Sequence, residues 1–389
     1  MRKTKLALAV TSAIFASSAM ATNGTNMTGV GAQANAMGGT GVAAYYGAEN
    51  TIVNPAMVAK SQGTEFAFGG TVFMPNVQST TDNLSNAMQS SDADLNLIPS
   101  VSMSTRINDN WSFGIGMYGT SGMGVDYGTQ SALALAQTTM QIMRFVPTIA
   151  YNNENYGFGL SPVIQYGALD ISFNAGSAFG PGMAQDIGYG LDLGAYIDIS
   201  KDTTLALAYQ SEIEMTYKGQ LNSTSGAASK FGLTGFTDKI AQPSEIKVGI
   251  AHKMGNYTLT ADAKQVRWGQ AAGYKDFGWE DQNVFGLGVK YNGNGYWMGA
   301  GYNKGDNPIA VKADTRLNML NNLFFPATTD THLSVGGGYN ISKNAVLEGA
   351  VVYAPEIETT VSIAGTGLGN TSTTKHSQLG YTVSVRYNF

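Results

Sequence analysis

From residue 63 to its end, the chain repeats one pattern that few folds can satisfy. Apolar residues occupy every second position in successive segments, and turns separate these segments. Segments 187–197 and 379–389 show the alternation most clearly, because glycine or polar residues stand between their apolar side chains. A period of two residues is typical of β-strands with one apolar face. The pattern predicts about fourteen strands, an even number as in bacterial single-chain barrels.

The connections between these segments alternate in length. Short polar turns occur at residues 108–110, 152–153, 200–202, 254–256, 292–295 and 342–344. Longer connections fall near residues 76–94, 123–138, 172–184, 219–242, 270–278, 306–327 and 357–375. Outer-membrane barrels have tight periplasmic turns and long outer loops, whereas a soluble sandwich has no reason to keep every second loop long. Residues 63–389 are therefore predicted to form an all-β transmembrane barrel of antiparallel strands with long extracellular loops.

The N-terminus and the composition indicate export to a bacterial outer membrane. A secretory signal is indicated by basic residues 2, 3 and 5, an apolar run and the small residues Ala19 and Ala21. Residues 1–21 are therefore predicted to be removed. Charged residues make up only 13% of the chain, yet no later stretch is apolar for the roughly 20 residues of a membrane helix. A net charge of −5 argues against a nucleic-acid partner.

Residues 22–62 lack the alternation and are rich in glycine, alanine and asparagine. They precede the first strand, so they begin on the periplasmic side. A barrel of about fourteen strands has a lumen too wide for its own side chains to fill. We therefore expect residues 22–62 to form a hatch, or plug, inside the lumen. A disordered tail is the alternative.

Two apolar stretches lie in connections predicted to be outer loops. Leu133 and Leu135 belong to the first, and the second contains Leu320, Leu323, Phe324 and Phe325. Exposed apolar loops usually form a binding surface, and a groove between packed loops is a typical ligand site. These residues are predicted to form a hydrophobic ligand groove. Mutual packing as a lid is the other interpretation.

Basic residues at lumen-facing positions could pair with a carboxylate of a ligand. The candidates are Arg144, Lys247, Lys264 and Arg386. Pairing with acidic residues of the lumen would equally explain them, and a neutral hydrocarbon would need none.

Glycines interrupt the third strand, and an Asn-Pro-Ala element precedes the first. Gly116, Gly119 and Gly122 are candidates for a kink, since glycine inside a strand marks a bulge or a close approach. Ordinary lumen-facing glycines are the alternative. Residues 54–56 are explained by a turn that joins plug to barrel, because Asn-Pro favours turn initiation.

Several of these stretches resemble the FadL family of long-chain fatty-acid transporters. They are residues 29–41 (GVGAQANAMGGTG), Asn54-Pro55-Ala56, Ile98-Pro99 and residues 107–114. The resemblance implies a 14-stranded barrel with an N-terminal hatch, in which Asn54, Pro55 and Ala56 belong to a constriction. It also implies capture of ligand among the outer loops, a hatch rearrangement, and lateral exit through an inward kink of the third strand. The start Thr22-Asn23-Gly24 is closer to family members associated with aromatic hydrocarbons.

Together these features predict a multi-pass barrel of a Gram-negative outer membrane. Its expected function is passive uptake of long-chain fatty acids or other hydrophobic compounds. The alternatives are an aromatic-hydrocarbon importer, a general porin and a structural surface protein. We expect a monomer in contact with outer-membrane lipid and lipopolysaccharide. No enzyme activity, cofactor or metal site is expected, since the three histidines lack metal-ligand spacing.

Overall fold

Fourteen long antiparallel strands make up most of the chain. The computed structural model describes residues 22–84, 87–129 and 133–389, so the predicted signal peptide lies outside the described residues. The strands are β1 (Thr64–Thr81), β2 (Asn96–Arg106), β3 (Trp111–Asp126), β4 (Gln137–Asn152), β5 (Tyr156–Asn174), β6 (Ala184–Ser200), β7 (Thr203–Gln210), β8 (Glu245–Met254), β9 (Tyr257–Val266), β10 (Gln282–Asn292), β11 (Tyr296–Gly305), β12 (Thr331–Asn340), β13 (Ala345–Ser362) and β14 (Thr371–Asn388).

The strands close into a barrel. Each pairs with its neighbours in sequence, and β14 returns to pair with β1 over residues 372–388, for example Val385 with Phe68. This closed ring confirms the predicted all-β barrel of fourteen strands. In the described part of the chain, no helix is long and apolar enough to cross a membrane.

Side chains alternate between the two faces of the wall, as the sequence pattern predicts. On β6, Ile187, Tyr189 and Leu191 are exposed, whereas the neighbouring Asp192 is buried. Apolar side chains thus point outward, where a membrane barrel meets lipid, and polar ones point into the lumen. Tyrosines Tyr257, Tyr291 and Tyr296 contact one another near the short turns.

The alternation of short and long connections is confirmed, but four long loops, those after β1, β3, β5 and β13, are narrower than predicted. β1 continues to Thr81, β13 to Ser362, and β14 begins at Thr371. The reason is that polar residues keep pairing beyond the apolar band, as where Thr360 opposes Thr373 and their hydroxyls are 2.8 Å apart. The loop between β7 and β8 holds a further hairpin, formed by Ile213–Thr216 and Lys239–Gln242.

Residues 22–62, here called the N-terminal segment, lie inside the lumen. The segment consists of a tip hairpin (residues 22–27), helices Ala32–Ala36 and Asn50–Val53, and a 3-10 helix Pro55–Lys60. Its polar contacts reach strands around the whole ring: Thr51 contacts Tyr118 on β3, Lys60 binds Asp198 on β6, and Thr40 contacts Thr260 on β9. Gln33 and Asn35 add contacts to β13 and β14.

Candidate functional site

Apolar side chains of the long loops pack into one body, here called the outer-loop cluster. Leu133, Leu320, Leu323, Phe324 and Phe325 are all buried in it, so the structure brings together five of the six predicted groove residues. Leu135 is only half-buried and lies outside the buried set, because it and Ala134 adopt positive φ angles of 50° and 57° that turn its side chain away. The cluster also includes Phe173, Phe236, Trp268, Tyr274 and Phe277.

The outer-loop cluster is closed in this structure. Its internal crevice measures about 10 Å³ and is lined only by apolar residues, among them Phe173, Phe236 and Phe324. That volume is at the lower limit for a single water molecule. A ligand can therefore enter the cluster only when the loops separate.

The tip hairpin closes the inner side of the outer-loop cluster. Gly24, with φ of 66°, lies against the Trp268 ring so closely that a Cβ atom would be 2.7 Å from Cζ2. The Thr25 hydroxyl is 3.1 Å from the Tyr274 hydroxyl. Only glycine fits beneath this indole, and its lack of a Cβ also permits the left-handed backbone.

The third strand leaves its neighbour β2 halfway along its length. Pairing between β2 and β3 ends at Ser100 with Tyr118, whereas pairing between β3 and β4 continues to Asp126. Thr120 is an extra, unpaired residue between Gly119 and Ser121, which makes a β-bulge. From residue 118 to 125 every residue is buried, so this half of β3 turns toward the lumen.

The tip hairpin occupies the position that β2 has left. Asn26 pairs with Ser121, and the Gly122 amide donates to the Thr25 carbonyl at 3.1 Å. The wall opening between β2 and β3 ends where the Asp92 amide donates to the Asp126 carbonyl.

The three predicted kink glycines have different positions. Gly116 lies in the regular part of β3, opposite Ser102, and leaves room for the Tyr118 ring. Gly119 stands where pairing to β2 ends, and a Cβ there would be 2.6 Å from Cγ2 of Ile98. Gly122 lies beyond the bulge. Thr120 was missed by sequence reasoning, although the break in apolar alternation after Tyr118 could have indicated it.

A polar cavity of about 90 Å³ lies between the N-terminal segment and the wall, next to Thr120. Three of the four predicted carboxylate partners, Arg144, Lys247 and Lys264, line it together with Glu245 and Asp262. Four lining atoms are buried without a hydrogen-bond partner: Thr120 Oγ1, Gln210 Nε2, Asp262 Oδ1 and Asn303 Oδ1.

The charges of the polar cavity are balanced. Lys247 is 3.2 Å from Glu245, and Asp192 interacts electrostatically with Arg144. Lys264 lies within the electrostatic range of Glu245 and Asp262. Three cations therefore face three carboxylates, which matches the mutual-pairing interpretation.

Arg386 lies elsewhere, in an ion cluster that joins the N-terminal segment to the wall. Its guanidinium is 3.0 Å from Glu348 on β13, 3.5 Å from Glu65 on β1 and 3.6 Å from Glu49 of the segment. Burial raises the pKa of Glu49 to about 7, although the Arg386 charge opposes the shift. Three carboxylates therefore neutralise the charge of Arg386, although its buried Nε has no hydrogen-bond partner.

Residues 54–56 attach the N-terminal segment to β5 and β6. Asn54 begins the 3-10 helix: its Oδ1 accepts from the Ala56 amide at 3.0 Å, and its Nδ2 donates to the Val42 carbonyl at 2.7 Å. Gly159 and Gly194 oppose each other in the wall, and a Cβ on either would collide with this element. Paired glycines thus form the recess in which Asn54, Pro55 and Ala56 lie.

Comparisons with known proteins agree with this architecture. Residues 7–389 match the family of outer membrane protein transport proteins (OMPP1/FadL/TodX). A long-chain fatty acid transport protein of Escherichia coli O6:H1 (strain CFT073) is 23% identical over 93% of this chain and 97% of that protein.

Solved structures of similar fold include two with different described roles. The toluene transporter TodX of Pseudomonas putida has a TM-score of 0.72 at 18% identity, covering 93% of this chain and 99% of its own. A FadL homologue of Pseudomonas aeruginosa has a TM-score of 0.74 at 14% identity, covering 94% and 100%. At these identities the likeness shows the fold.

Proposed function

Because this chain belongs to the OMPP1/FadL/TodX family and is a barrel of the Gram-negative outer membrane, we propose that it imports hydrophobic small molecules by passive diffusion. One observation carries the proposal: the tip hairpin contacts both the closed outer-loop cluster and the wall opening at β3. A single movable element thus separates an apolar binding region from an exit into the membrane.

Ligand first enters the outer-loop cluster. The side chains of Leu133, Leu320, Leu323, Phe324 and Phe325 offer apolar surface above the membrane. Burial of each CH₂ group contributes about 0.8 kcal/mol, so an acyl chain or an aromatic ring gains affinity without a specific polar contact. Leu135, at the edge of the cluster, would meet the ligand as the loops separate.

The N-terminal segment acts as the hatch. Movement of the tip hairpin away from Trp268 would open the cluster toward the lumen, while Asn54, Pro55 and Ala56 keep the rest of the segment attached to β5 and β6. Movement of the hairpin has to break the side-chain hydrogen bonds of Thr25 and Asn26, but Asn26 with Ser121 is its one ladder pair with the described strands of the wall.

Exit occurs sideways between β2 and β3. Past Gly119 the two strands are unpaired, so an apolar molecule in the lumen reaches the membrane core without crossing a hydrogen-bonded wall. Because lumen, hatch and opening all belong to one chain, the monomer is the transporting unit. Lipid and lipopolysaccharide contacts of the outer surface remain predictions.

The lumen cations have a smaller part in this proposal. Arg144, Lys247 and Lys264 are balanced by acidic neighbours, and Arg386 is held by three carboxylates. Of the four, Lys264 is the candidate partner for a ligand carboxylate: among the described residues no ion pair within 4 Å holds it at the polar cavity, whereas Arg144 donates to Gln165 at 2.8 Å.

The test is uptake by a deletion strain that carries variants of the protein. We expect Gly119→Val and Gly122→Val to abolish growth on long-chain fatty acids or aromatic hydrocarbons, while the barrel stays folded and heat-modifiable. Gly349→Ala is the matched control, since the nearest atom to its Cβ would be Thr382 O at 3.4 Å. Normal uptake by the deletion strain on both substrates would refute transport, and normal uptake by the Gly119 variant would refute lateral exit.

A general porin predicts a different result. Large steady ion currents from the intact protein in planar bilayers would favour a porin over the hatch proposal. We expect only small, infrequent currents, because the N-terminal segment contacts the wall on all sides. A structural surface protein predicts no uptake defect on deletion.

A further inference from the structure

We propose that the amino group created at Thr22 by signal-peptide cleavage binds the carboxylate of a long-chain ligand. The inference deepens the proposed function and rests on it, and also on cleavage after Ala21. It names the ligand class as anionic amphiphiles, with the head at Thr22 and the tail in the outer-loop cluster.

The nitrogen atom of Thr22 lies in a buried polar site at the inner side of the outer-loop cluster. Thr22 is 3% exposed, and its nitrogen donates to Gln378 Oε1 at 3.1 Å. Its carbonyl accepts from the Thr329 hydroxyl at 3.3 Å. After cleavage this nitrogen carries a positive charge at neutral pH, because an α-amino group has an ordinary pKa of about 8.

The orientation of Gln378 is set by His376. The Nδ1 atom of His376 is 2.7 Å from the Pro326 carbonyl, to which it must donate. A neutral imidazole then accepts at Nε2, where Gln378 Nε2 lies 3.1 Å away. Gln378 therefore presents its oxygen to Thr22, as an ammonium group requires.

One acceptor does not satisfy this ammonium. It has three N–H bonds, and within the described residues its hydrogen-bonding partner, Gln378, is uncharged. A buried cation without a counter-charge is strongly destabilised. The site at Thr22 differs in this respect from the polar cavity, where three cations face three carboxylates. Thr22 thus supplies the charge in the lumen that an incoming carboxylate can neutralise.

The residue after Thr22 also has a polar side chain without a partner. The side chain of Asn23 is fully buried, and neither its Oδ1 nor its Nδ2 makes a hydrogen bond. Its Oδ1 lies near Gly305 at the end of β11, so the head site itself consists of the Thr22 nitrogen and Gln378.

The apolar part of the ligand fits next to this head site. Pro326, which contacts His376, directly follows Phe324 and Phe325 of the outer-loop cluster. On the other side, Gly24 lies beneath Trp268. A chain in the cluster therefore has its carboxylate end at Thr22, whereas a neutral hydrocarbon would use the cluster alone.

The experiment compares the affinities of the purified, processed protein for oleate and for oleyl alcohol. Intact mass first establishes that the mature chain begins at Thr22. One variant has an alanine inserted between Ala21 and Thr22, which moves the amino group by one residue. Gln378→Glu provides an internal carboxylate for the ammonium, and Gln378→Met is its uncharged control.

In the wild type we expect oleate to bind about tenfold or more tightly than the alcohol, as one charge-assisted hydrogen bond implies. The insertion and Gln378→Glu should remove that preference, measured in each variant as the ratio of the two affinities, and Gln378→Met should retain it. Equal affinities in the wild type, a preference that survives the insertion, or a different mature N-terminus would overturn the inference. A preference lost only in Lys264→Met would place the head group in the polar cavity. Failure to bind either compound would refute the proposed function itself.

Discussion

Protonation of Glu49 should control how tightly the N-terminal segment is held. This side chain is buried beside Glu65, Glu348 and Arg386, and Tyr118 also lies within its electrostatic range. Tyr45 and Lys290 face Arg386 and the two other carboxylates. Its pKa rises from an ordinary 4.5 to about 7, mainly because burial disfavours the charged form. A raised carboxyl pKa stabilises the docked segment fully below pH 4.5, and that stabilisation is lost as the pH rises through 7.

The magnitude follows from the shift. A difference of about 2.5 pKa units corresponds to roughly 3 kcal/mol, of which most is lost between pH 5 and pH 8. Hydrogen–deuterium exchange measures it at the amides of Asn50 and Ile52, which donate to the carbonyls of Gly47 and Glu49 at the start of the helix. We expect their protection factors to fall by roughly 50- to 100-fold from pH 5 to pH 8.

Glu49→Gln is the decisive variant, since it imitates the protonated carboxyl at every pH. Its protection should stay high and independent of pH across this range. If the wild type shows no pH dependence, or if the Gln variant keeps the same slope, then Glu49 does not titrate in the docked state and the reasoning fails.

Three further predictions concern other parts of the molecule. Gly159→Ala should displace residues 54–56 and increase ion conductance in planar bilayers, because its Cβ would collide with the Pro55 main chain, whereas Gly349→Ala should not. Asp238→Ala should destabilise the loop between β7 and β8 by about 1–3 kcal/mol and speed its proteolysis, because the carboxylate accepts from the amides of Gly219, Leu221 and Asn222. These donors outweigh burial and lower the pKa of Asp238, so the loop should also loosen as the pH falls through that lowered value. Phe324→Ala should weaken hydrophobic ligand binding and cost about 3–5 kcal/mol of packing energy in the outer-loop cluster, and unchanged ligand affinity would contradict its place at the site.

The barrel was predictable from sequence because its determinants are local. Alternation on a segment such as β6 fixes which side chains face outward, and turn residues fix where each strand ends. The widths of the long loops could not be predicted from sequence, because polar residues such as Thr360 and Thr373 pair beyond the alternating apolar residues.

The site was only partly predictable because its determinants are long-range. The glycines of β3 indicated a distortion, but the bulge at Thr120 depends on Asn26, which takes the place of β2 beside Ser121. Likewise, the sequence did not identify the partners of Arg386, because its three carboxylates come from separate parts of the chain. Contacts between residues hundreds of positions apart leave no periodic trace.

The partners of Arg386 also constrain the order of assembly. Glu65 belongs to the first strand, Arg386 to the last, and Glu49 to the segment that the ring encloses. If the barrel closed without the N-terminal segment, the Arg386 guanidinium would be buried without Glu49. The recess formed by Gly159 and Gly194 on the inner wall would also be unfilled. We therefore expect insertion into the bilayer to be completed around a plug already in position, and a plug supplied afterwards should not restore the native contacts between β1 and β14.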